Sequence, residues 1–309
     1  MQRTLAHALL LSTFALPLLA CGGDESSATG ATTAGSTTAG STTAGTGATS
    51  TTGGQGGGAS TSSSSAAGGS GGGAVDPCAG RLICDDFEDD TLGAAPLAPW
   101  QTNVNQGAVV VDGAHAHSGM RAVKVSTDAG QYKQALFYAE GAPAFPVPGN
   151  VVYGRMMIYM PQTANDGVHW TMIQGSGPVP GHAGVTGHYR YGGMWQGKMM
   201  ANYETSNAAT DCWNNSDTVM PTGAWTCMEW RFDGPANDMR FWLDGTEVAD
   251  LHVTQQGMGC GGQDLGGDWL APDFERMYLG WESYQQDDAR EAWIDDVIID
   301  DQPIGCPGP

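Results

Sequence analysis

The sequence is poor in positive charge: 12 Lys and Arg stand against 33 Asp and Glu, a formal net charge of −21 over 309 residues. From residue 76 onward, 11 bases face 31 acids. A surface of that sign repels phosphate backbones, so nucleic acid is excluded as a partner. Aromatic residues are all but missing from the first quarter, where Phe14 is the single one of 26 that precedes Phe87. Without them the segment has no material for a core. No Lys or Arg lies between Arg3 and Arg81. The apolar run Leu5 to Leu19 falls short of the about 20 residues that span a bilayer. No two cysteines have Cys-x-x-Cys spacing and none has a histidine at zinc-finger distance, which argues against a thiolate metal site. Beyond residue 76, no ten-residue stretch repeats its apolar residues at helical spacing.

What is present begins with Arg3, the apolar run and Leu18-Leu19-Ala20-Cys21. This reads as an export signal over residues 1–20. The last four residues resemble the lipobox of bacterial lipoproteins, which implies that Cys21 becomes the lipidated first residue. Gly22 follows where an inner-membrane retention signal would carry aspartate, so an outer-membrane location is expected, facing periplasm or cell exterior. Residues 21–75 are almost pure Gly, Ser, Thr and Ala, with Ser36 to Gly40 repeated at Ser41 to Gly45. Such a tract is a disordered tether with a reach of roughly 40 Å. The anchor is the membrane contact expected, and the remaining domain, 76–309, is expected to be a monomer.

Setting Cys21 aside leaves Cys78, Cys84, Cys212, Cys227, Cys260 and Cys306, an even set in an exported chain. Three disulfides are expected. Because Cys78, Cys84 and Cys306 lie near the domain ends, one bridge is expected to tie those ends together.

The domain is written in short apolar runs: Ala108 to Val111, Ala122 to Val125, Ala135 to Tyr138, Val151 to Tyr159 and Trp170 to Ile173. They continue at Lys198 to Tyr203, Cys227 to Phe232, Met239 to Leu243, Glu247 to Leu251, Met277 to Trp281 and Trp293 to Ile299. These read as strands. Asp244-Gly245 between two of them supplies the positive φ angles of a tight hairpin. So many strands without a helix predict an all-β, two-sheet antiparallel jelly-roll sandwich, whose sheet face would form a groove for a linear polymer.

Cys84-Asp-Asp-Phe-Glu88, His117-Ser-Gly-Met-Arg-Ala-Val-Lys-Val125 and Trp293-Ile-Asp-Asp-Val-Ile-Ile299 resemble the concanavalin A-like jelly rolls. Gly192-Gly-Met-Trp195, Met200-Ala-Asn-Tyr203, Trp225-Thr-Cys-Met-Glu-Trp230 and Leu279-Gly-Trp-Glu282 are similar to the fungal cellulose-induced protein family, itself related to glucuronan lyases. The resemblance covers essentially Asp76 to Cys306. It implies a structural calcium ion held by Glu88 and Asp295, with Asp296, Asp86 and Ser118 as neighbours, a set of hard oxygens suited to that cation.

Titratable nitrogen gathers in one place: His169-Trp-Thr-Met-Ile-Gln174, then His182, then His188-Tyr-Arg-Tyr191, with Lys198, Asn202 and Tyr203 following. A β-eliminating lyase neutralises a uronate carboxylate and removes the proton on the adjacent carbon. For that chemistry Arg190, Gln174 and Asn202 would hold the carboxylate, His169 or Tyr191 would take the proton, and Tyr203 would protonate the leaving oxygen. Neither the Gln-Ile-His nor the Arg-x-Glu-x-Arg signature of alginate lyases is present. The nearest approach to a glycosidase Glu-x-Asp-x-Glu is Glu229-Trp-Arg-Phe-Asp233, where arginine replaces the middle acid and an ion pair is expected. Most of the ten tryptophans belong to the core. Trp195 and Trp213, beside Gly and Asn, are expected to be exposed and to stack on sugar rings. The function expected is polysaccharide binding by a surface-anchored jelly roll, with polyuronate lyase chemistry as its enzymatic form. The alternatives are a non-catalytic structural or adhesion protein and, behind it, a glycoside hydrolase.

Overall fold

The computed structural model describes residues 77–206, 210–255, 257–261 and 269–307. The signal segment, Cys21 and the tether lie outside the described residues. Seventeen strands occur among those described: β1 (Ile83–Asp85), β2 (Trp100–Asn105), β3 (Gly107–Asp112), β4 (Ala122–Thr127), β5 (Lys133–Glu140), β6 (Val151–Tyr159), β7 (Trp170–Pro178), β8 (Thr186–Met194) and β9 (Lys198–Thr205). They continue as β10 (Asp211–Val219), β11 (Trp225–Asp233), β12 (Asp238–Leu243), β13 (Thr246–Glu247), β14 (Val253–Thr254), β15 (Gly259–Gly261), β16 (Arg276–Ser283) and β17 (Arg290–Asp300). One sheet has the order β13-β12-β11-β6-β17-β4-β3, with β1 beside β17 and β14 beside β12; the other runs β15-β10-β9-β8-β7-β16-β5-β2. All these pairs are antiparallel. The all-β sandwich expected from the sequence is therefore the fold.

Alternation sorts each strand between core and surface. In β11, Trp230 and Phe232 are buried while Glu229, Arg231 and Asp233 point outward. Between the sheets Trp170 stacks on Trp281 at 5.2 Å and 13°, and Tyr191, Phe232 and Phe241 pack beside one another. The Asp244-Gly245 turn joins Leu243 to Thr246 with φ of 46° and 77°, as the two positive angles of a type I′ hairpin require.

Three expectations are corrected. Glu247 to Leu251 is not a strand, because Ala249–Leu251 is a 3-10 turn that buries Leu251. The strands β1, β2, β8, β10, β14 and β15 were not anticipated: Thr186–Met194 reads TGHYRYGGM and Asp211–Val219 reads DCWNNSDTV, with no apolar run in either. The disulfides are Cys78–Cys84, Cys212–Cys260 and Cys227–Cys306. No bridge joins the two domain ends to each other, since Cys227 at the start of β11 takes Cys306.

Candidate functional site

Four adjacent strands bring one residue each into register: Gln174 on β7 faces Arg190 on β8, Arg190 faces Asn202 on β9, and Asn202 faces Trp213 on β10. Two residues along, the next row on the same face is Ser176, His188, Glu204 and Asp211. This face is turned away from the core. Arg190 organises it, donating from Nε to Gln174 Oε1 at 2.5 Å, reaching Asn202 Oδ1 at 3.4 Å and pairing with Glu204. Asn202 in turn donates to Asp211 Oδ1 at 2.7 Å, and Ser176 Oγ lies 2.8 Å from His188 Nδ1.

Tyr284, just past β16, lies over the guanidinium with its ring centre 6.0 Å from Arg190. Its hydroxyl donates to Glu282 Oε2 at 2.9 Å and lies 3.1 Å from Thr171 Oγ1. Tyr132 donates to the other Glu282 oxygen at 2.8 Å. Burial, followed by the Arg190 charge, pushes both His169 and His188 down to about 4, so both imidazoles are neutral at neutral pH. Burial raises Tyr284 above the ordinary tyrosine range, with Glu282 adding to the rise against Arg190, so its phenol stays protonated.

Beside this network is a cavity of about 220 Å³ lined by His169, Trp195, Met200, Asn202, Asp211 and Trp213, among others. His169 Nε2 is buried and has no hydrogen-bond partner among the described residues. Trp195 is 57% exposed. It sits in the β8–β9 turn at φ 44°, a conformation that a bulky side chain adopts only when the surroundings enforce it. Trp213, expected to be exposed, is instead half-buried on β10, in register with Asn202. Both tryptophans singled out in the sequence thus line the same cavity as His169 and Asn202.

Two expected site residues are corrected. Tyr191 and Tyr203 have no exposed surface and point between the sheets, as alternation demands of the neighbours of Arg190 and Asn202. Tyr191 donates to the Leu251 carbonyl at 3.0 Å, and Tyr203 stacks on Trp269. Neither reaches the outer face. Lys198 is committed to Asp217 at 2.7 Å. Glu204, Glu282, Tyr132 and Tyr284 were missed. Of these, Glu282 and Tyr284 carried a signal, since they lie one and three positions past the buried Trp281 and alternation therefore puts both on the face opposite to it.

The acidic cluster has a different donor set from the one expected. Asp295, fully buried at a bulge in β17, accepts from the His117 and Ser118 amides at 2.8 and 3.1 Å. Asp296 holds the Ser118 hydroxyl at 2.7 Å and His117 Nδ1 at 2.5 Å. Glu88 Oε1 accepts from the Met120 and Arg121 amides at 2.6 and 2.7 Å, and Asp86 caps the Glu88 amide at 3.3 Å. These carboxylates pin the loop before β4 through N–H donors. A calcium ion needs six to eight converging oxygens, and among the described residues no three His, Cys, Asp or Glu side chains are grouped so as to hold a metal ion. The Glu229 to Asp233 stretch lies on the other sheet, where Arg231 pairs with Asp233 at 2.6 Å, the ion pair expected in place of paired catalytic acids.

Residues 86–302 match the family model for the Cip1-like core domain, a polysaccharide-lyase-like family. The chain belongs to that family. A solved structure described as cellulose induced protein, Cip1, is 26% identical, with a TM-score of 0.53, and the match covers 73% of this chain and 100% of that one. An endo-beta-1,4-glucuronan lyase from the fungus Trichoderma reesei is 11% identical, with a TM-score of 0.46 over 72% of this chain and 96% of that one. No curated protein matches the chain. Membership makes this Cip1-like domain a carbohydrate-related jelly roll. Its outer-face network on β7 to β10 is the candidate site.

Proposed function

We propose that the protein binds a polysaccharide chain across the outer face of the eight-stranded sheet. The observation that carries this reading is the cavity in which Trp195 and Trp213 flank a histidine whose buried Nε2 has no partner. An unpaired buried nitrogen is costly unless a ligand completes it, and a sugar hydroxyl supplies that hydrogen bond while ring C–H faces lie on the indoles. At about 220 Å³ the cavity is below the about 300–1,000 Å³ of pockets that enclose a whole ligand. That size suits one ring of a polymer whose remainder lies on the surface.

The local charge favours a neutral polymer. Arg190 is matched by Glu204 and faces Glu282 and Asp211 as well, so little positive potential is left for a polyuronate. A second reading, β-elimination on a uronate, is supported by neutral His169 lying 4.7 Å ring to ring from the protonated Tyr284. In that reading His169 Nε2 takes the proton beside the carboxylate, the electron pair forms the new double bond, the glycosidic C–O bond breaks, and Tyr284 protonates the departing oxygen. Tyr284 thereby takes the part first expected of Tyr203.

The test is titration of a panel of neutral and uronate polysaccharides with the 76–309 domain carried on the full chain. Trp195→Ala and Trp213→Ala should each weaken binding of a neutral glucan by about 1–2 kcal/mol, roughly tenfold, with the melting temperature unchanged for the exposed Trp195. Binding unaffected by both substitutions would move the site elsewhere. Ultraviolet-absorbing unsaturated products from polyglucuronate, lost in His169→Ala, would establish the lyase reading. Anchoring at a cell surface through Cys21 belongs to the same proposal, supported by Leu18-Leu19-Ala20-Cys21 and the Gly/Ser/Thr tract after it. Cys21→Ala expressed in a two-membrane bacterium should leave the membrane fraction, and equal retention of variant and parent would remove the anchor.

A further inference from the structure

The register row of the candidate site does not end at Gln174. On its other side Gln174 faces Tyr278 of β16, Tyr278 faces Tyr138 of β5, and Tyr138 faces Gln101 of β2. One line of side chains therefore crosses seven strands, from Trp213 through Asn202, Arg190, Gln174, Tyr278 and Tyr138 to Gln101. With six steps of about 4.8 Å between neighbouring strands, the line is about 29 Å long.

Its far end has the chemistry of a sugar platform. Tyr138 and Tyr278 are half-buried, with ring centres 4.8 Å apart and planes inclined by 32°. Their hydroxyls are held: Tyr138 donates to Gln101 Oε1 at 3.0 Å, and Arg276 reaches the Tyr278 oxygen at 3.5 Å. Arg276 is also paired with Glu140 at 3.5 Å, so the platform has polar edges without a net field that selects a charged ligand. Two clefts flank it, one of about 330 Å³ containing Ser176, His188 and Tyr278, the other of about 530 Å³ containing Gln101, Glu140 and Phe145. Arg276 and Glu275 line both clefts.

We infer that the Tyr138–Tyr278 pair is a second saccharide platform, so that one neutral linear glycan lies perpendicular to the strands and is held at both ends of the seven-strand row. This rests on the polysaccharide-binding reading of the Trp195 and Trp213 cavity and adds to it a dependence on chain length. A short oligosaccharide reaches one end of the row, whereas a long one engages both, and the second contact is then intramolecular.

The experiment is calorimetric titration of the full chain with a ladder of cello-oligosaccharides from trimer to octamer, together with hydroxyethylcellulose. Parent protein should bind the octamer at least tenfold more tightly than the trimer. The double variant Tyr138→Ala/Tyr278→Ala should bind octamer and trimer alike, at the parent's trimer affinity. The variant Tyr138→Leu/Tyr278→Leu, which keeps apolar bulk and removes the flat rings, should behave the same way with the parent's melting temperature. Trp213→Ala should weaken every member of the ladder. A length gain that survives both tyrosine variants overturns the second platform and leaves the first site standing. Trimer affinity lost along with octamer affinity in the leucine variant overturns it too, since the two ends would then not be separate. No binding by any member, in parent or variant, overturns both readings together.

Discussion

Acidification from pH 7 to pH 4 should destabilise the protein through His169 and His188 by on the order of 2–3 kcal/mol for each. Both side chains are depressed to about 4 in the folded state, from 6.5, by burial and then by the guanidinium of Arg190. Between those two values the unfolded chain binds protons that the folded chain refuses. Their contribution is therefore fully present above about pH 6.5 and is lost as pH falls toward 4. Glu204 acts on both histidines in the opposite sense and is the weaker influence. Several acids raised by burial, among them Asp85, Asp90 and Asp211, gain stability on acidification and would mask the effect in the parent protein alone. The measurement is accordingly a comparison of urea midpoints at pH 7 and pH 4 for parent and for His169→Gln/His188→Gln. The variant should lose several kcal/mol less than the parent over that interval. Equal losses would mean that the two imidazoles are not desolvated beside Arg190 in the manner described.

Removing the Cys227–Cys306 bridge by Cys227→Ala/Cys306→Ser should lower stability by about 4–5 kcal/mol, the entropy of a long closed loop released to the unfolded chain. The bridge spans 79 residues, whereas Cys78–Cys84 spans 6. On the same reasoning, removal of the short bridge should cost about 2 kcal/mol. The long bridge also fastens the C-terminal tail, where the Gly305 amide donates to Glu229 Oε1 at 3.0 Å and its carbonyl accepts from Arg155 at 3.4 Å. Denaturant melts of the two oxidised double variants decide the matter. Similar losses from both would refute the ordering, and with it the placement of the long loop's entropy in the unfolded state.

The strands hardest to read in the sequence are the ones that carry the site. Segments such as Val151 to Tyr159 announce themselves because they are buried on one or both faces and are therefore rich in apolar residues. β8 and β10 present polar groups on the outer face, and on the inner face they spend Gly, Tyr and Cys where Val or Ile would have given the pattern. Without β8 in view, the parity of His188, Tyr189, Arg190 and Tyr191 has no reference. Arg190 and Tyr191 then look equally available to a ligand, although alternation separates them to opposite faces of the sheet. The same ambiguity placed Tyr203 beside Asn202 in function when the two residues point apart. Trp195 escaped it because its cue was local, an aromatic in a Gly-rich turn that cannot bury it, whereas Trp213 lies on β10 and is half-buried.

The sequence by itself determined the class of the fold, the Asp244-Gly245 hairpin, the pairing of all six domain cysteines into bridges and the exposure of Trp195. Each follows from composition or from residues within a few positions of one another. Only the tertiary structure decided that Trp213, Asn202, Arg190, Gln174, Tyr278, Tyr138 and Gln101 share one line, that Tyr284 lies over Arg190, and that Cys306 belongs to Cys227 rather than to the other end of the domain. The physical reason is that strand register and strand order are set by the packing of whole faces against each other. Residues more than 100 positions apart in the chain, such as Gln174 and Tyr278, become neighbours through that packing, and no local pattern encodes it.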